Sequence, residues 1–297
     1  MRRRLLALSW LLAAALPAAA QTDPAQLTGT LAKLRQTGSV SIGYRESSIP
    51  FSYLSARGEP IGYSIDLCKL LVEAIGDELG RELAIQWVPV TSESRIAAVA
   101  SGQVDLECGS TTNNLERQKQ VAFSPTFFVS GTRLMVRKGS AIKSFRDLAG
   151  RKVVVTAGTT NEKTMRELAA KFRLDMAIVV AADHAASFQV LAAGQADAFA
   201  TDDVLLYGLL AQNKAQADYL VVGEFLSYDP YGVMFRKGDA ALARLVNDTF
   251  HRLAEDREIE RRYNRWFLRK LPSGVSLDLP MSPQLETILQ TMAARTE

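Results

Sequence analysis

Apolar and polar residues alternate in short runs along the chain, and stretches with helical spacing separate these runs. Residues 40–44 and 85–90 have the pattern of strands, whereas apolar residues recur every three or four positions over 65–75. The two runs therefore predict strands, and the segment between them predicts a helix. This succession of strand, helix and strand is typical of an α/β fold.

The next unit has its own start and stop residues. Ser92 precedes a helical pattern that runs to Ser101, and Gly102 follows it. We expect Ser92 to cap this helix and Gly102 to end it. A short strand at 104–107 should come next.

The second half repeats this organisation. Residues 152–156 and 196–200 predict strands, and the capping-box sequence at 159–162 predicts the start of a helix between them. Asp183 is placed to cap a further helix that ends near Gly194.

A charged amphipathic helix or helix pair is expected over residues 239–267. The tail after Leu271 contains Pro272, Gly274 and Pro280. Because these residues interrupt regular structure, we expect the tail to follow the surface irregularly.

Two stretches, 92–110 and 184–202, align without a gap and share a Gly-Gln-x-Asp sequence. In this alignment Ser92 matches His184, and Ser110 matches Asp202. Strand carboxyl ends and the following helix starts line the ligand crevice of open α/β sheets. The weak repeat therefore predicts a cleft between two similar halves.

The first twenty residues have the pattern of a signal peptide cleaved after Ala20, with three arginines, a short apolar run and a final Ala-Ala-Ala. Without those arginines, the 35 basic residues fall to 32, equal to the 32 acidic ones. This balance does not favour a nucleic-acid surface, and we expect an exported soluble monomer.

Cys68 and Cys108 are the two cysteines of the chain. An exported protein can join such a pair in a disulfide, although two buried thiols are an equal alternative. With no CxxC sequence and two histidines, the chain has no metal-binding pattern, and we expect no metal or cofactor.

The sequence ECGSTTNNLERQK at 107–119 places Ser110 and Thr112 shortly before Arg117. A helix starting near Asn113 would add unpaired N–H groups, and together these groups would suit an anion. Residues 156–160, which include Thr156 and Thr159, have the same character. A polar turn with a helix cap is the alternative for each stretch.

Arg45 ends the first predicted strand, and Arg95 lies one turn into the helix that Ser92 would cap. Singly, each arginine is typical of a solvated surface. Together, Arg45, Arg95 and Arg117 with Asp202 have a charge of +2. A ligand with two carboxylates and one ammonium, a dicarboxylic amino acid, matches this set.

Ser110, His184 and Asp202 are the residue types of a hydrolytic triad, but Ser110 lacks the G-x-S-x-G context. The chain also has no GxGxxG, P-loop or HExxH sequence. The sequence therefore favours binding over catalysis.

The segments GYRESSIPFSY, PVTSESRI, DLECGSTTNNLERQKQVAFS, GTRLMVRKGS, VVVTAGTTNEK and DHAASF resemble the periplasmic glutamate/aspartate-binding proteins of ABC importers, within solute-binding protein family 3. The resemblance implies the two-lobed periplasmic binding protein fold (type II), with hinge strands near 126–133 and 219–225. Lobe 1 would comprise 21–131 and 225–297, and lobe 2 would comprise 132–224.

The resemblance also implies a role for each candidate residue. Arg117, Thr112 and Thr159 would bind the α-carboxylate of L-glutamate or L-aspartate, and Asp202, rather than Asp203, would bind the ammonium. Thr156 would complete the second wall of the cleft. The side-chain carboxylate would be held by Arg45, Ser92, Arg95, Ser110 and His184. Membrane permease subunits of the importer would be the partners.

Three alternatives stay open. A periplasmic dehydratase on the same fold would need a proton donor, for which Glu46 and Glu107 are the candidates. A soluble sensor would bind the ligand and signal this binding to a membrane receptor instead of an importer. The ligand could also be glutamine or a small dicarboxylate, although Asp202 disfavours a ligand without an amine.

Overall fold

The computed structural model describes residues 27–294, so the predicted leader and its cleavage site lie outside the described residues. Strands and helices alternate, as the sequence predicts. No helix within the described part is both long and apolar enough to span a bilayer.

Residues 27–294 form fifteen short strands, and most of them belong to one of two larger sheets. The strands are β1 (Ser39–Tyr44), β2 (Ser47–Ser48), β3 (Ser52–Leu54), β4 (Pro60–Ile61), β5 (Ala84–Pro89), β6 (Leu106–Glu107), β7 (Val121–Phe123), β8 (Phe128–Ser130), β9 (Thr132–Arg137), β10 (Lys152–Thr156), β11 (Ala177–Ala181), β12 (Ala198–Asp202), β13 (Tyr219–Val222), β14 (Asp229–Tyr231) and β15 (Met234–Arg236).

The helices cover the faces of these sheets and form a C-terminal layer. They are α1 (Gly29–Thr37), α2 (Tyr63–Leu79), α3 (Arg95–Ser101), α4 (Thr160–Phe172), α5 (His184–Ala192), α6 (Asp203–Asn213), α7 (Ala240–Glu255), α8 (Glu258–Tyr263) and α9 (Pro283–Ala293). Short 3₁₀ turns occur at Arg117–Lys119 and Phe145–Leu148, and a π-helical turn occurs at Asn264–Leu268.

Each lobe is built on a five-stranded mixed sheet. The order in the first sheet is β5-β1-β6-β15-β7, and the order in the second is β11-β10-β12-β9-β13. In each sheet the second strand, β1 or β10, pairs parallel with both neighbours. The carboxyl ends of these parallel strands therefore lie at one edge of each sheet, where ligand sites form in α/β folds.

Two crossing strands join the lobes. The chain leaves the first sheet after β7, passes through β8, builds the second sheet, and returns through β14, which pairs antiparallel with β8. The expected crossing at 126–133 contains β8. The expected return at 219–225 is wrong, because Tyr219–Val222 pairs with β9 as the edge strand of the second sheet. The lobe boundaries at 131/132 and 224/225 stay a prediction.

Aromatic packing fixes both crossing strands to the first lobe. The ring of Phe128 on β8 stacks on Tyr231 of β14 at 5.7 Å and on Phe267 at 5.1 Å between centroids. Phe51 contacts Phe128 and Tyr231 edge to face. The hinge is thus anchored in a buried aromatic cluster.

Cys68 of α2 and Cys108, directly after β6, form a disulfide with an S–S distance of 2.05 Å. Both cysteines are fully buried. The disulfide alternative is therefore the correct one. It fixes helix α2 to the strand that leads into the 107–119 segment.

Most of the local predictions are confirmed. The predicted strand at 152–156 is β10, and Thr159 and Asp183 cap α4 and α5 with hydrogen bonds from Glu162 N and Ala186 N. Residues 239–267 form the helix pair α7 and α8. The irregular tail is wrong in part, because residues after Ser282 form α9, which buries Leu285 and Leu289.

Candidate ligand-binding cleft

All ten predicted site residues are buried, although all are polar or charged. They are Arg45, Ser92, Arg95, Ser110, Thr112, Arg117, Thr156, Thr159, His184 and Asp202. Buried polar groups cost free energy unless they are paired or serve a ligand. So dense a cluster of them is therefore a strong candidate for a binding site.

Six of the ten line a small space between the lobes. This cavity has a volume of about 10 Å³ and is lined by Arg95, Ser110, Thr112, Thr159, Thr160, Asn161, His184, Asp202 and Leu205. A volume of that size holds about one water molecule. The lobes are therefore closed on each other, and an amino acid would enter only when they open.

The structure corrects the expected helix start near Asn113. The chain stays extended there, because Asn113 N donates to Pro230 O at 2.7 Å and Thr112 forms a bridge to Tyr231. Only a 3₁₀ turn follows, at Arg117–Lys119, with Asn114 Oδ1 accepting from Arg117 N at 2.9 Å. Arg117 itself, rather than a helix terminus, is the candidate anion donor.

The structure also corrects the role of Ser92. Helix α3 begins at Arg95, and its N-cap position is Ser94, whose hydroxyl bonds with Thr91. Ser92 does not cap the helix, and its buried hydroxyl has no hydrogen-bond partner within residues 27–294. Arg95, as the first helical residue, points its guanidinium to Thr111 Oγ1 at 2.6 Å.

Several buried donors are unpartnered in the same region. Arg45 Nε and Nη1, Arg95 Nε, Ser92 Oγ and Ser110 Oγ have no hydrogen-bond partner in the described part of the chain. The resemblance assigns five residues to the side-chain carboxylate of the ligand (the distal carboxylate), and these are four of the five. An unmade hydrogen bond at a buried donor costs about 1–3 kcal/mol. This end of the cleft is therefore built to receive an acceptor.

The three arginines repel one another but stay cationic at neutral pH. Burial, followed by the neighbouring Arg95, lowers the pKa of Arg45 to about 9 and that of Arg117 to about 10. Burial also lowers the pKa of Arg95. An incoming carboxylate would offset both the loss of hydration on burial and the repulsion between the positive charges.

His184 is held as a neutral imidazole. Burial and then the charges of Arg45 and Arg95 put its pKa well below the usual value of 6.5. Its Nδ1 bonds with Thr156 Oγ1 at 2.9 Å, which also contacts Ser187 Oγ at 2.8 Å. Thr156 therefore orients His184, and its expected place in the second wall of the cleft stays a prediction.

Asp202 lies at the carboxyl end of β12 and faces the cavity. Asn161 Nδ2 donates to its Oδ1 at 2.8 Å, and the hydroxyl of Tyr231 donates to its Oδ2. Burial and then Asp229 raise the pKa of this carboxyl well above 3.8. Asp203 faces away from the cavity, toward Ser130 of the first crossing strand at 2.7 Å.

The sequence-based charge count of +2 is wrong for the buried cluster. Glu107 and Asp229 are buried beside the same residues, at 0% and 2% exposure, so three carboxyl groups accompany three arginines. Asp229 Oδ1 accepts from Thr112 at 3.0 Å and from Thr160 at 2.9 Å. The position of unpartnered donors, rather than net charge, now carries the argument for an acidic ligand.

The lobes touch directly at the rim of the cleft. Arg117 Nη1 donates to Thr112 O at 2.9 Å, and its Nη2 reaches Gly158 O of the second lobe at 3.4 Å. Gly158 has φ +70°, and a Cβ there would lie 2.6 Å from Glu93 Cα of the first lobe. The two backbones meet so closely that only glycine fits.

The two candidate proton donors and the potential metal ligands bear on what the cleft can do. Within residues 27–294 no group of three or more potential metal ligands occurs, and Glu46, one of the two candidate proton donors, is exposed. Glu107, the other, is bound to Thr111 and does not belong to the residues that line the cavity. What the cleft offers is fixed hydrogen-bond donors at one end and a buried carboxyl at the other.

Two α/β lobes, two crossing strands and a buried polar cleft define a two-lobed solute-binding protein of the type II periplasmic fold. Residues 40–269 match the bacterial extracellular solute-binding proteins, family 3, and the chain belongs to this family.

Characterised relatives match over nearly the whole chain. The chain is 45% identical to an L-glutamate/L-aspartate-binding protein of Pseudomonas aeruginosa, covering 94% of each chain. It is 41% identical to a glutamate/aspartate import solute-binding protein of Salmonella typhimurium, covering 88% of this chain and 87% of the other. Among solved structures, an ancestral arginine-binding protein bound to glutamine aligns with a TM-score of 0.71 and 30% identity, over 78% of this chain and 99% of the other.

Proposed function

We propose that this protein is a periplasmic receptor that captures L-glutamate or L-aspartate between its lobes and delivers it to an ABC importer. The observation that carries the proposal is the group of unpartnered buried donors on Arg45, Ser92, Arg95 and Ser110. The names of the relatives from Pseudomonas aeruginosa and Salmonella typhimurium support the same ligand class.

In the proposed complex, the distal carboxylate of the ligand bonds to these four residues and to His184. The neutral imidazole has Nδ1 engaged by Thr156, which leaves Nε2 for the ligand. Arg117, Thr112 and Thr159 bind the α-carboxylate, and Asp202 accepts from the ammonium. An ammonium beside Asp202 also favours the ionised form of this carboxyl, which burial otherwise disfavours.

Closure follows from the distribution of these contacts. Arg45, Arg95 and Arg117 come from the first lobe, whereas His184 and Asp202 come from the second. A ligand that touches both groups does so only when the lobes are closed, so its binding shifts the open–closed equilibrium. The permease of the importer would then recognise the closed form.

Binding rather than catalysis is part of the proposal, because the unpartnered buried donors of the cleft suit the capture of an acceptor group. Export through residues 1–20, the monomeric state and the absence of a nucleic-acid partner are also parts of it.

A thermal-shift experiment tests the proposal. The protein is unfolded, dialysed, refolded, and then heated with each of the twenty amino acids. Glutamate and aspartate should raise the melting temperature, by several degrees at a ligand concentration a hundred times Kd. A rise with other amino acids alone would contradict the ligand assignment, and turnover of prephenate or arogenate would contradict the binding role.

A further inference from the structure

Glu107 is a buried carboxylate that the proposed ligand contacts do not use. It ends β6, the central strand of the first sheet, where it pairs with Gly43 of β1 and Met234 of β15. Its side chain is fully buried. The strand pairing on both sides fixes the position of its backbone.

A threonine hydroxyl joins this carboxylate to a cleft arginine. Thr111 Oγ1 donates to Glu107 Oε2 at 2.7 Å and accepts from Arg95 Nη1 at 2.6 Å. A hydroxyl can donate one hydrogen bond, and Glu107 accepts the one from Thr111. The oxygen lone pairs of Thr111 are therefore directed at Arg95 and orient its guanidinium.

The second oxygen of Glu107 is buried and unpartnered. Within residues 27–294 no group hydrogen-bonds to Oε1. A Cβ at Gly109 would lie 2.3 Å from this oxygen and 3.0 Å from Arg45 Cγ. Because Gly109 has no Cβ, the carboxylate of Glu107 and the aliphatic part of the Arg45 side chain can both approach its backbone.

Glu107 acts on the arginines at a distance rather than by direct pairing. Its charge raises the pKa values of Arg45, Arg95 and Arg117 against the effect of burial. Among the described residues, however, none of the ion pairs within 4.0 Å includes Glu107. The guanidinium groups thus gain a counter-charge while their donors stay available.

We propose that Glu107 is the internal counter-ion of the cleft and, through Thr111, the positioning residue that aims Arg95 at the distal carboxylate of the ligand. This role rests on the proposed function. It explains how three arginines are buried together although, among the described residues, no carboxylate forms an ion pair with their guanidinium groups. The charge of Glu107 also limits how strongly the cleft prefers an acidic over an amide side chain, because it opposes the carboxylate of the ligand.

The variant Glu107→Gln tests the charge role. The amide oxygen keeps an acceptor for Thr111, while the negative charge is lost. A ligand carboxylate then meets less opposing charge, so Kd for glutamate should fall about tenfold, whereas Kd for the neutral glutamine should change little. The ligand-free melting temperature should fall, because three buried cations lose a counter-charge.

The variants Thr111→Val and Thr111→Ser test the positioning role and form a matched pair. Valine removes the hydroxyl at nearly constant volume, and Kd for glutamate should rise tenfold or more, in line with about 1.5–3 kcal/mol for a hydrogen bond to a charged group. Serine restores the hydroxyl and should return Kd to near the value of the unaltered protein. Calorimetry with glutamate and glutamine measures all four proteins.

The outcomes separate the two proposals. If the unaltered protein binds glutamate but Glu107→Gln weakens glutamate and glutamine equally, Glu107 is only structural and the inference is overturned. Equal loss in Thr111→Val and Thr111→Ser would likewise overturn the positioning role. If the unaltered protein binds neither glutamate nor aspartate, the proposed function fails and the role of Glu107 falls with it.

Discussion

The hydroxyl of Tyr231 donates a hydrogen bond to the carboxyl group of Asp202, and so connects the second crossing strand to the second lobe. The backbone of Tyr231 also bridges to Thr112 of the first lobe. Tyr231 is fully buried, and burial raises its pKa well above 10. It therefore stays protonated and remains a donor, at the point where hinge, both lobes and the proposed ammonium site meet.

Replacing Tyr231 by phenylalanine should weaken ligand binding. Of the two side-chain donors that Asp202 has within the described part of the chain, it would lose Tyr231 and keep Asn161. Hydrogen bonds to charged groups contribute about 1.5–3 kcal/mol, so we expect Kd for glutamate to rise roughly tenfold to a hundredfold. Tyr263→Phe is the control, because that hydroxyl bonds to Leu279 O at 3.2 Å, away from the cleft. Equal Kd values for the two variants would contradict the role of Tyr231.

Gly158→Ala should impair closure of the lobes. A Cβ at Gly158 would lie 2.6 Å from Glu93 Cα, whereas one at Gly194, with the same φ of +70°, meets no described atom within 4 Å. Both substitutions incur backbone strain of roughly 1–2 kcal/mol, but only the first blocks the approach of the lobes. Calorimetry should show weaker glutamate binding in Gly158→Ala than in Gly194→Ala. Indistinguishable affinities would show that closure does not need this contact.

His184 should remain neutral well below pH 6.5. Burial and the charges of Arg45 and Arg95 lower its pKa in the folded protein, whereas the unfolded chain binds a proton near the ordinary value. The stability from this group is therefore present above about pH 6.5 and is lost as the pH falls, by at most about 1.4 kcal/mol per pH unit.

Nuclear magnetic resonance can follow this histidine directly. The chain has two histidines, so a His251→Gln variant leaves one imidazole signal from His184. We expect that signal to keep the chemical shift of a neutral ring as the pH falls through 6.5. A titration midpoint near 6.5 would contradict the buried neutral state.

Removal of the disulfide should lower stability more than binding. The double variant Cys68→Ala, Cys108→Ala opens a loop with a sequence separation of 40. For loops of this size we expect a loss of about 2–4 kcal/mol in the free energy of unfolding, measured with urea. Glutamate binding should persist, because Cys108 N also donates to Gly43 O at 2.9 Å. Unchanged stability would contradict a structural role.

Local signals in the sequence predicted local structure well. The caps at Thr159 and Asp183 lie directly before the helices they start, and β10 contains three consecutive valines. Helix α9 was also recognisable: Ser282 caps it, Pro283 begins it, and Leu285, Ile288, Leu289 and Met292 follow helical spacing. Pro272, Gly274 and Pro280 interrupt regular structure only before this helix begins.

The local structure around Asn113 and the second crossing strand depend on contacts between distant parts of the chain. Asn113 does not start a helix because its N–H bonds to Pro230, more than one hundred positions away. The same pairing brings Asp229 and Tyr231 into the cleft, and the surrounding sequence SYDPYG gave no strand signal. The resemblance implies the role of each site residue, and the burial of all ten polar side chains follows from the packing of the two lobes.

The most direct test is isothermal titration of the refolded, ligand-free protein with L-glutamate, L-aspartate and L-glutamine. The unpartnered donors at Arg45, Arg95 and Ser110 predict tight binding of both acids and much weaker binding of glutamine, because the amide side chain brings no negative charge to the buried arginines. Glutamine binding as tight as that of glutamate would contradict the assignment of this cleft to acidic amino acids. The absence of any heat of binding with all three amino acids would contradict it too.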